Sequence, residues 1–392
     1  MPRILSLISV ALIAILFVSC EKEVIIDESL PLCERIDKLV EPVTVFGAPS
    51  AIIIGVIKDG EKSIYSYGDA GLGFGAPRSN TIFEIGSNTK TFTATLLSTF
   101  IDEGLVSLDD SINQFLPDYV HPPAFGGQQI TLRNLVTHTS GLPREVYNFT
   151  IDYNTLWSEF TNEDYYTFLN DISAQAYPFD DYTNGNELPY LGTKFRYSNI
   201  GVGILGHILE RVSGKTFEGL IDEKICSPLH MPDTKVYTEM TDEQKSRIPK
   251  AYNINQIEQE LPRDMGRLLA PGAILSTMDD MLNYMEANMG NTTPLSKSMQ
   301  RCVGILYKRE DICPEDAGVF EKFPYDDAEG IGMIWYIYHE NGDTIVEHGG
   351  DYNHHCFFKF NKTKKTGVIM FTNTTSLISE NIQETIFKWI TE

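Results

Sequence analysis

The chain has 392 residues, 42% hydrophobic and 22% charged, a composition of folded globular proteins and a length that suits one large domain with an insertion or two intimate subdomains. With 54 acidic and 31 basic residues its net charge is −23, which repels phosphate backbones and so disfavours nucleic-acid partners and the steering of anionic substrates. No solenoid-period repeat and no low-complexity tract is present.

The N-terminus reads as a targeting segment. Arg3 precedes an apolar run from Ile4 to Val18, followed by Ser19-Cys20; this is the pattern of a secretory signal over residues 1–19, too short to stay as a membrane span. Leu16-Phe17-Val18-Ser19-Cys20 resembles the lipobox of bacterial lipoproteins. That resemblance implies a lipidated Cys20 anchoring an exported protein to a membrane of the cell envelope, in the periplasm or at the surface. The plainer alternative is cleavage and secretion. Residues 20–35, charged and carrying Pro31, read as a tether, and 36–392 as the main domain. Cys33, Cys226, Cys302, Cys313 and Cys356 remain. Their odd number requires a free thiol or an interchain bond. Cys302 and Cys313, close in sequence, are the expected pair in an oxidising compartment. The absence of CxxC argues against a structural zinc site.

Ala51 to Ile57 reads as a buried strand, Lys58-Asp59-Gly60 as a turn, and Ser63 to Gly68 as the returning strand of a hairpin. Thr81 to Ile85 is a short strand running into Gly86-Ser87. Phe92, Leu96, Leu97, Phe100 and Ile101 then recur at helical spacing up to Gly104. Residues 105–290 read as mainly helical, with helices over Leu132–Thr139, Thr161–Leu169, Gly201–Val212 and Met278–Met289. The stretch 144–190, rich in aromatics, Asn and Asp, is expected to cover part of the site. Strands return at Ile331–Tyr338, Thr344–Glu347, Cys356–Phe360 and Thr366–Thr372, before a last helix over Ile378–Ile390. The fold class that follows is mixed α/β (α+β): one sheet built from both chain ends, flanking helices, and a helical region inserted at about 105–290.

Ser87-Asn88-Thr89-Lys90 places a hydroxyl and an amine three residues apart, on one face of a helix start. A serine hydroxyl needs a nearby base, and a lysine in a dry, crowded site can lose its proton and serve as one. Helix N-terminal amides can stabilise an oxyanion. Such a spacing alone is expected about once or twice by chance in a chain this long, and it equally describes a helix cap beside an exposed lysine. A second element adds weight: Tyr197-Ser198-Asn199 opens a further helix. A buried Tyr197 near an ammonium can have a depressed pKa and act as general base, and Asn199 can donate to a substrate carbonyl. Tyr182-Thr183-Asn184 has the same spacing but lies in a Pro/Gly/Asn-rich loop and reads as structural.

Together these segments resemble the penicillin-recognising serine hydrolases, in particular the class C β-lactamase-like group with its DD-carboxypeptidases, D-aminopeptidases and esterases. Leu132 to Pro143, with His138, Ser140 and Gly141, looks like that group's hallmark loop; Pro228 to Thr234 and Leu269 to Thr277 are further landmarks. The similarity runs from about residue 36 to the C-terminus. It implies a mixed α/β domain around a central antiparallel sheet with an all-helical region beside it, and a catalytic set of Ser87, Lys90 and Tyr197. His138 and Ser140 read as structural members of their loop.

The family's third motif, Lys or His, any residue, then Gly, permits two registers here. His348-Gly349-Gly350 puts an imidazole in the site; Glu347-His348-Gly349 puts a carboxylate there, with Gly350 following. Strand side chains alternate, so only one of Glu347 and His348 faces the site. A cation there would bind the free carboxylate of β-lactams or of a terminal D-Ala, whereas a glutamate would favour neutral or amine-bearing substrates. In either register the lysine of true β-lactamases is missing, which ranks β-lactamase action below peptidase, amidase or esterase action. The oxyanion hole would join the Ser87 amide to that of Gly350 or Asp351.

The expected function is therefore that of an exported serine hydrolase acting through an acyl-enzyme on amide or ester bonds, with D-amino-acid-containing peptides or small esters as substrates. Neither a metal nor an organic cofactor is implied. One alternative is a catalytically weak penicillin-binding or envelope scaffold on the same fold. Another is a metal-dependent hydrolase using Asp351, His354, His355 and Cys356, although neighbours on one strand point apart and rarely close a metal sphere.

Overall fold

The computed structural model describes residues 26–45, 51–71, 73, 75–145, 158–171, 191–253, 257–260, 264–290, 292–312, 328–374 and 378–392. The apolar run before Cys20, Cys20 itself, Tyr182-Thr183-Asn184, Cys313 and most of 144–190 lie outside these residues. The chain forms two compact units, residues 1–43 and 44–392. Helix α1 (Leu32–Val45) begins in the first. It starts directly after Pro31, inside the stretch expected as a tether, with Ile36 and Val40, one turn apart, both buried.

The second unit opens with the expected hairpin. Strands β1 (Ala51–Lys58) and β2 (Glu61–Gly68) flank Asp59-Gly60, both at positive φ, as a two-residue turn of this twist requires. Strand β3 (Ile82–Glu84) leads through a 3₁₀ turn, Gly86–Asn88, into helix α2 (Thr89–Asp102). The region that follows contributes α3 (Leu132–Val136), α4 (Asn162–Asn170), α5 (Asn199–Ser213) and α6 (Phe217–Ile221). It also supplies β4 (Lys235–Val236) and β5 (Ile274–Thr277), which form a small sheet with β3 in the order β3-β5-β4. Helices α7 (Met278–Asn288) and α8 (Ser296–Cys302) close that region.

The C-terminal part adds β6 (Tyr307–Lys308), β7 (Gly330–Ile331), β8 (Tyr336–Glu340), β9 (Asp343–Asp351), β10 (His355–Asn361), β11 (Thr366–Thr372) and helix α9 (Ile378–Thr391). Among the described residues the main sheet has the order β6-β7-β8-β9-β10-β11-β1-β2, antiparallel throughout. The two chain ends thus meet where β11 pairs with β1. The single strand expected over 331–338 is instead two, β7 and β8, joined by a tight turn in which Gly332 N–H donates to Trp335 O. The apolar run Ile331-Gly332-Met333-Ile334-Trp335 is continuous because the turn is itself buried, not because it is strand.

Side chains on β10 alternate between two packing partners. Phe358 meets Tyr284 of α7 at a ring distance of 6.0 Å, while Lys359 meets Glu384 of α9 at 2.8 Å. Helices therefore cover both faces. Helix α2 is buried from Thr89 to Phe100. Its threonines tolerate burial by bonding back to their own helix: Thr91, Thr95 and Thr99 donate to the carbonyls of Asn88, Thr91 and Leu96.

Candidate active site

Ser87 sits in the 3₁₀ turn that starts α2, half-buried, between β3 and the end of β9. The turn forms because Gly86 takes φ +50°; a Cβ there would lie 2.8 Å from the Asp351 nitrogen. On the facing strand a Cβ on Gly350 would lie 1.9 Å from the Ile85 carbonyl oxygen. These two glycines let the backbones of the Ser87 turn and β9 touch. Asn88 fixes the arrangement, its side-chain amide donating to the Cys356 carbonyl at 2.9 Å.

Lys90 is fully buried, with Nζ 2.9 Å from Ser87 Oγ and 2.7 Å from the Pro271 carbonyl, to which it donates. The loop bearing Pro271 is held along the first turns of α2: Thr93 donates to the Ala270 carbonyl, and Ile274 N–H donates to Thr89 Oγ1. Burial drives the Lys90 pKa well below the ordinary lysine range; the Glu145 carboxylate opposes this and the Arg144 guanidinium reinforces it.

Tyr197 is buried, hydrogen-bonded to Ser87, and its ring lies 4.9 Å from Lys90 Nζ. His138 holds it in place by three contacts. The imidazole stacks on the Tyr197 ring at 4.4 Å, its Nδ1 accepts from Ser198 N–H, and its carbonyl accepts from Arg196 N–H. His138 adopts φ 56° to do so, a left-handed conformation of the kind found at functional sites. Burial raises the Tyr197 pKa, against the Ser87 hydrogen bond and Arg144. The expectation of a depressed tyrosine pKa is therefore corrected: desolvation outweighs the nearby cations, leaving a protonated phenol beside a lysine that readily becomes a neutral amine. Ser198 caps α5, accepting from Gly201 N–H and donating to the Pro143 carbonyl.

On β9 the alternation falls with His348 toward the site and Glu347 away. The His348 imidazole is buried between Tyr336 and Trp335, and burial and the Lys90 ammonium push its pKa down to about 3, against the Gly349 backbone and Asp351. Glu347 is buried on the opposite face, where it meets Lys359 at 3.1 Å and the Tyr338 hydroxyl. Its placement as a substrate contact is thus corrected: pairing with β10 sets Glu347 opposite Lys359, under α9. Of the cluster offered for a metal, His354 uses both ring nitrogens on backbone, accepting from Glu84 N–H and donating to the Pro249 carbonyl. Asp351 pairs with His355. Among the described residues no three metal-binding side chains converge. Cys302 is a free buried thiol.

Sequence reasoning missed the Pro271 carbonyl and the pair Arg144-Glu145. Arg144 lies over the Tyr197 ring at 4.7 Å, and Glu145 accepts from the Asn199 side-chain amide. The only signal was a charged pair directly after Leu142-Pro143. The geometry juxtaposes a hydroxyl, a desolvated amine, a protonated phenol and two converging backbones, which is what acyl transfer to serine needs.

A family model described as Beta-lactamase matches residues 40–390. The chain belongs to the beta-lactamase family. It is 26% identical over 299 residues to the D-alanyl-D-alanine-carboxypeptidase/endopeptidase AmpH of Escherichia coli K12, covering 75% of this chain and 72% of that one. It is 27% identical over 318 residues to a beta-lactamase of Pseudomonas fluorescens, covering 80% and 76%. Among solved structures, a beta-lactamase/D-alanine carboxypeptidase from Yersinia pestis, complexed with citrate, matches with a TM-score of 0.72 at 22% identity, covering 91% of this chain and 99% of that one. A class C beta-lactamase matches at 0.71 and 22% identity, covering 94% and 98%. This member of the beta-lactamase family thus shares the mixed α/β fold of class C beta-lactamases. By family it is a serine hydrolase of the beta-lactamase/DD-carboxypeptidase kind, at distant identity.

Proposed function

We propose that the protein is an exported hydrolase that cleaves amide or ester bonds through an acyl-enzyme on Ser87, with D-amino-acid-containing peptides or small esters preferred to β-lactams. The observation that carries this reading is the 2.9 Å contact between Ser87 Oγ and the buried, pKa-depressed Lys90 amine. Neutral Lys90 takes the Ser87 proton as Oγ bonds to the substrate carbonyl carbon. The amides of Ser87 and Asp351, brought together by Gly86 and Gly350, receive the oxyanion. The leaving nitrogen or oxygen departs with a proton from Tyr197, which Lys90 replenishes. Water then gives a proton back through the same pair, its oxygen bonds to the acyl carbon, and Ser87 is released. His348, neutral at ordinary pH, offers no fixed cation to a β-lactam carboxylate. The lipobox at Cys20 supports membrane attachment.

A fluorophosphonate probe tests both parts. Wild-type protein should label and partition with membranes. Ser87→Ala should lose the label, and Cys20→Ser should move the labelled protein to the soluble fraction. Equal labelling of Ser87→Ala rules out the mechanism, and absence of label in the wild type favours the scaffold alternative.

A further inference from the structure

Tyr197 has to give a proton to the leaving group, yet burial makes it a reluctant acid. As that proton moves, negative charge builds on the phenol. Lys90 answers the charge only by passing on a proton, so its own cation is consumed in the relay. The facing strand offers no cation, because His348 is neutral at ordinary pH. His138, stacked on the ring at 4.4 Å, is neutral as well. Among the described residues around the ring, the Arg144 guanidinium is the cation that remains. Its central carbon lies 4.7 Å from the Tyr197 ring centroid, and a guanidinium keeps its charge throughout.

The backbone builds this placement. The Arg144 carbonyl accepts from the N–H groups of Asn199 and Ile200, at 2.9 and 3.3 Å. These are orphan amides of the first turn of α5, directly after Tyr197 and Ser198. Beside them Ser198 Oγ donates to the Pro143 carbonyl at 2.7 Å. The loop that runs from His138 to Arg144 is therefore closed onto the helix start that carries the phenol. The carboxylates of Glu145 and Asp351 act against the guanidinium at Tyr197, so without Arg144 the phenol would lose its proton into a net negative field.

Resting on the acyl-enzyme reading, we propose that Arg144 supports proton donation by Tyr197, its fixed charge over the ring stabilising the phenolate that forms as the proton moves to the leaving group. In that step the bond from the acyl carbon to the leaving oxygen breaks, the electron pair stays on that oxygen, and the Tyr197 proton joins it. The Lys90 ammonium then returns a proton to the phenolate and becomes a neutral amine. Arg144 gains and loses nothing; it is a positioning residue that acts through Tyr197. A cation over a ring is held by the ring's electrons, and more strongly as the ring becomes anionic. The competing role for an exposed guanidinium is recognition of a substrate carboxylate, and uncharged substrates separate the two.

The test uses two uncharged esters of one acid, p-nitrophenyl butyrate and phenyl butyrate, read as a ratio of kcat/KM within each protein. This constant reports acylation, the half-reaction in which the phenol is expelled. p-Nitrophenolate departs readily unprotonated, whereas the more basic phenolate needs the proton. Arg144→Gln should raise the p-nitrophenyl-to-phenyl ratio by about tenfold over wild type. The ratio should climb with the charge removed, in the order wild type, Arg144→Lys, Arg144→Gln, Arg144→Glu. A ratio unchanged in Arg144→Gln overturns the proposal, whether both rates fall together, as a purely structural role would have it, or neither falls. A ratio that ignores the order of charge overturns it too. Fluorophosphonate labelling of Ser87 in the wild type separates the failures. Labelling with an unchanged ratio, or with no cleavage of either ester, removes the role of Arg144 alone; no labelling removes the acyl-enzyme reading and Arg144's part with it.

Discussion

Lys90 serves as a base only without its proton, and Tyr197 as an acid only with one. Burial moves both in the useful direction, the lysine down and the tyrosine up. Activity should therefore rise with pH along a limb well below the ordinary lysine value of 10.5. It should then stay level where an unperturbed tyrosine, at about 10, would lose its proton. Lys90→Arg keeps the charge but cannot give up the proton, so kcat/KM should fall by about 10²–10⁴-fold and the acid limb should vanish. A pH–rate profile of both proteins on one ester decides this; an unshifted limb in Lys90→Arg removes Lys90 as the base. The spacing of Ser87, Lys90 and Tyr197 was legible because three residues are nearly one helical turn and Tyr197 begins another helix. The proton inventory was not, since desolvation depends on Pro271, His138 and Arg144 arriving from distant segments.

At the scale of elements, the proposed acyl transfer requires β9 to lie against the Ser87 turn. Gly350→Ala would put a methyl carbon 1.9 Å from the Ile85 carbonyl oxygen. That atom is backbone, in the buried residue that caps the Ser87 turn, so no side-chain rotation relieves the overlap. The expected cost is about 1–3 kcal/mol or more, seen as a lower unfolding temperature. Ser87 labelling should slow by more than the stability loss explains, because the Asp351 amide moves away. Normal labelling with normal stability would show that β9 does not complete the site. The strands themselves were readable from alternation and turn residues, as in Asp59-Gly60. Which of Glu347 and His348 faces inward was not, because alternation fits either register. The choice is made by pairing with β10, which seats Glu347 opposite Lys359 and leaves His348 on the Ser87 side. The buried turn between β7 and β8 escaped notice for a related reason: hydrophobicity reports burial, not strand.

Across the whole molecule, burial and net charge oppose each other in acid. His138, His348 and His354 are buried and neutral, with pKa values pushed below the ordinary 6.5, to about 3 for the latter two, chiefly by desolvation. Between those values the unfolded chain binds protons that the folded chain does not, so stability falls as pH drops from 6.5 toward 3. Two effects run the other way. Asp280, raised by burial to about 6, gains a proton in the folded state first, and the −23 net charge shrinks toward the isoelectric point near 4.7, relieving self-repulsion. The histidines should prevail: His348 and His354 each contribute on the order of 2 kcal/mol by pH 5, His138 acts in the same direction, Asp280 returns about two-thirds of one such share, and surface repulsion is screened by salt. Urea unfolding at 0.15 M salt should therefore show stability lower by a few kcal/mol at pH 5 than at pH 7. His354→Asn, which lies outside the proton-transfer pair, should flatten part of that slope even though it weakens the turn over Glu84. If stability instead rises toward the isoelectric point, the molecule is governed by its surface charge, and the three histidines are not neutral as buried.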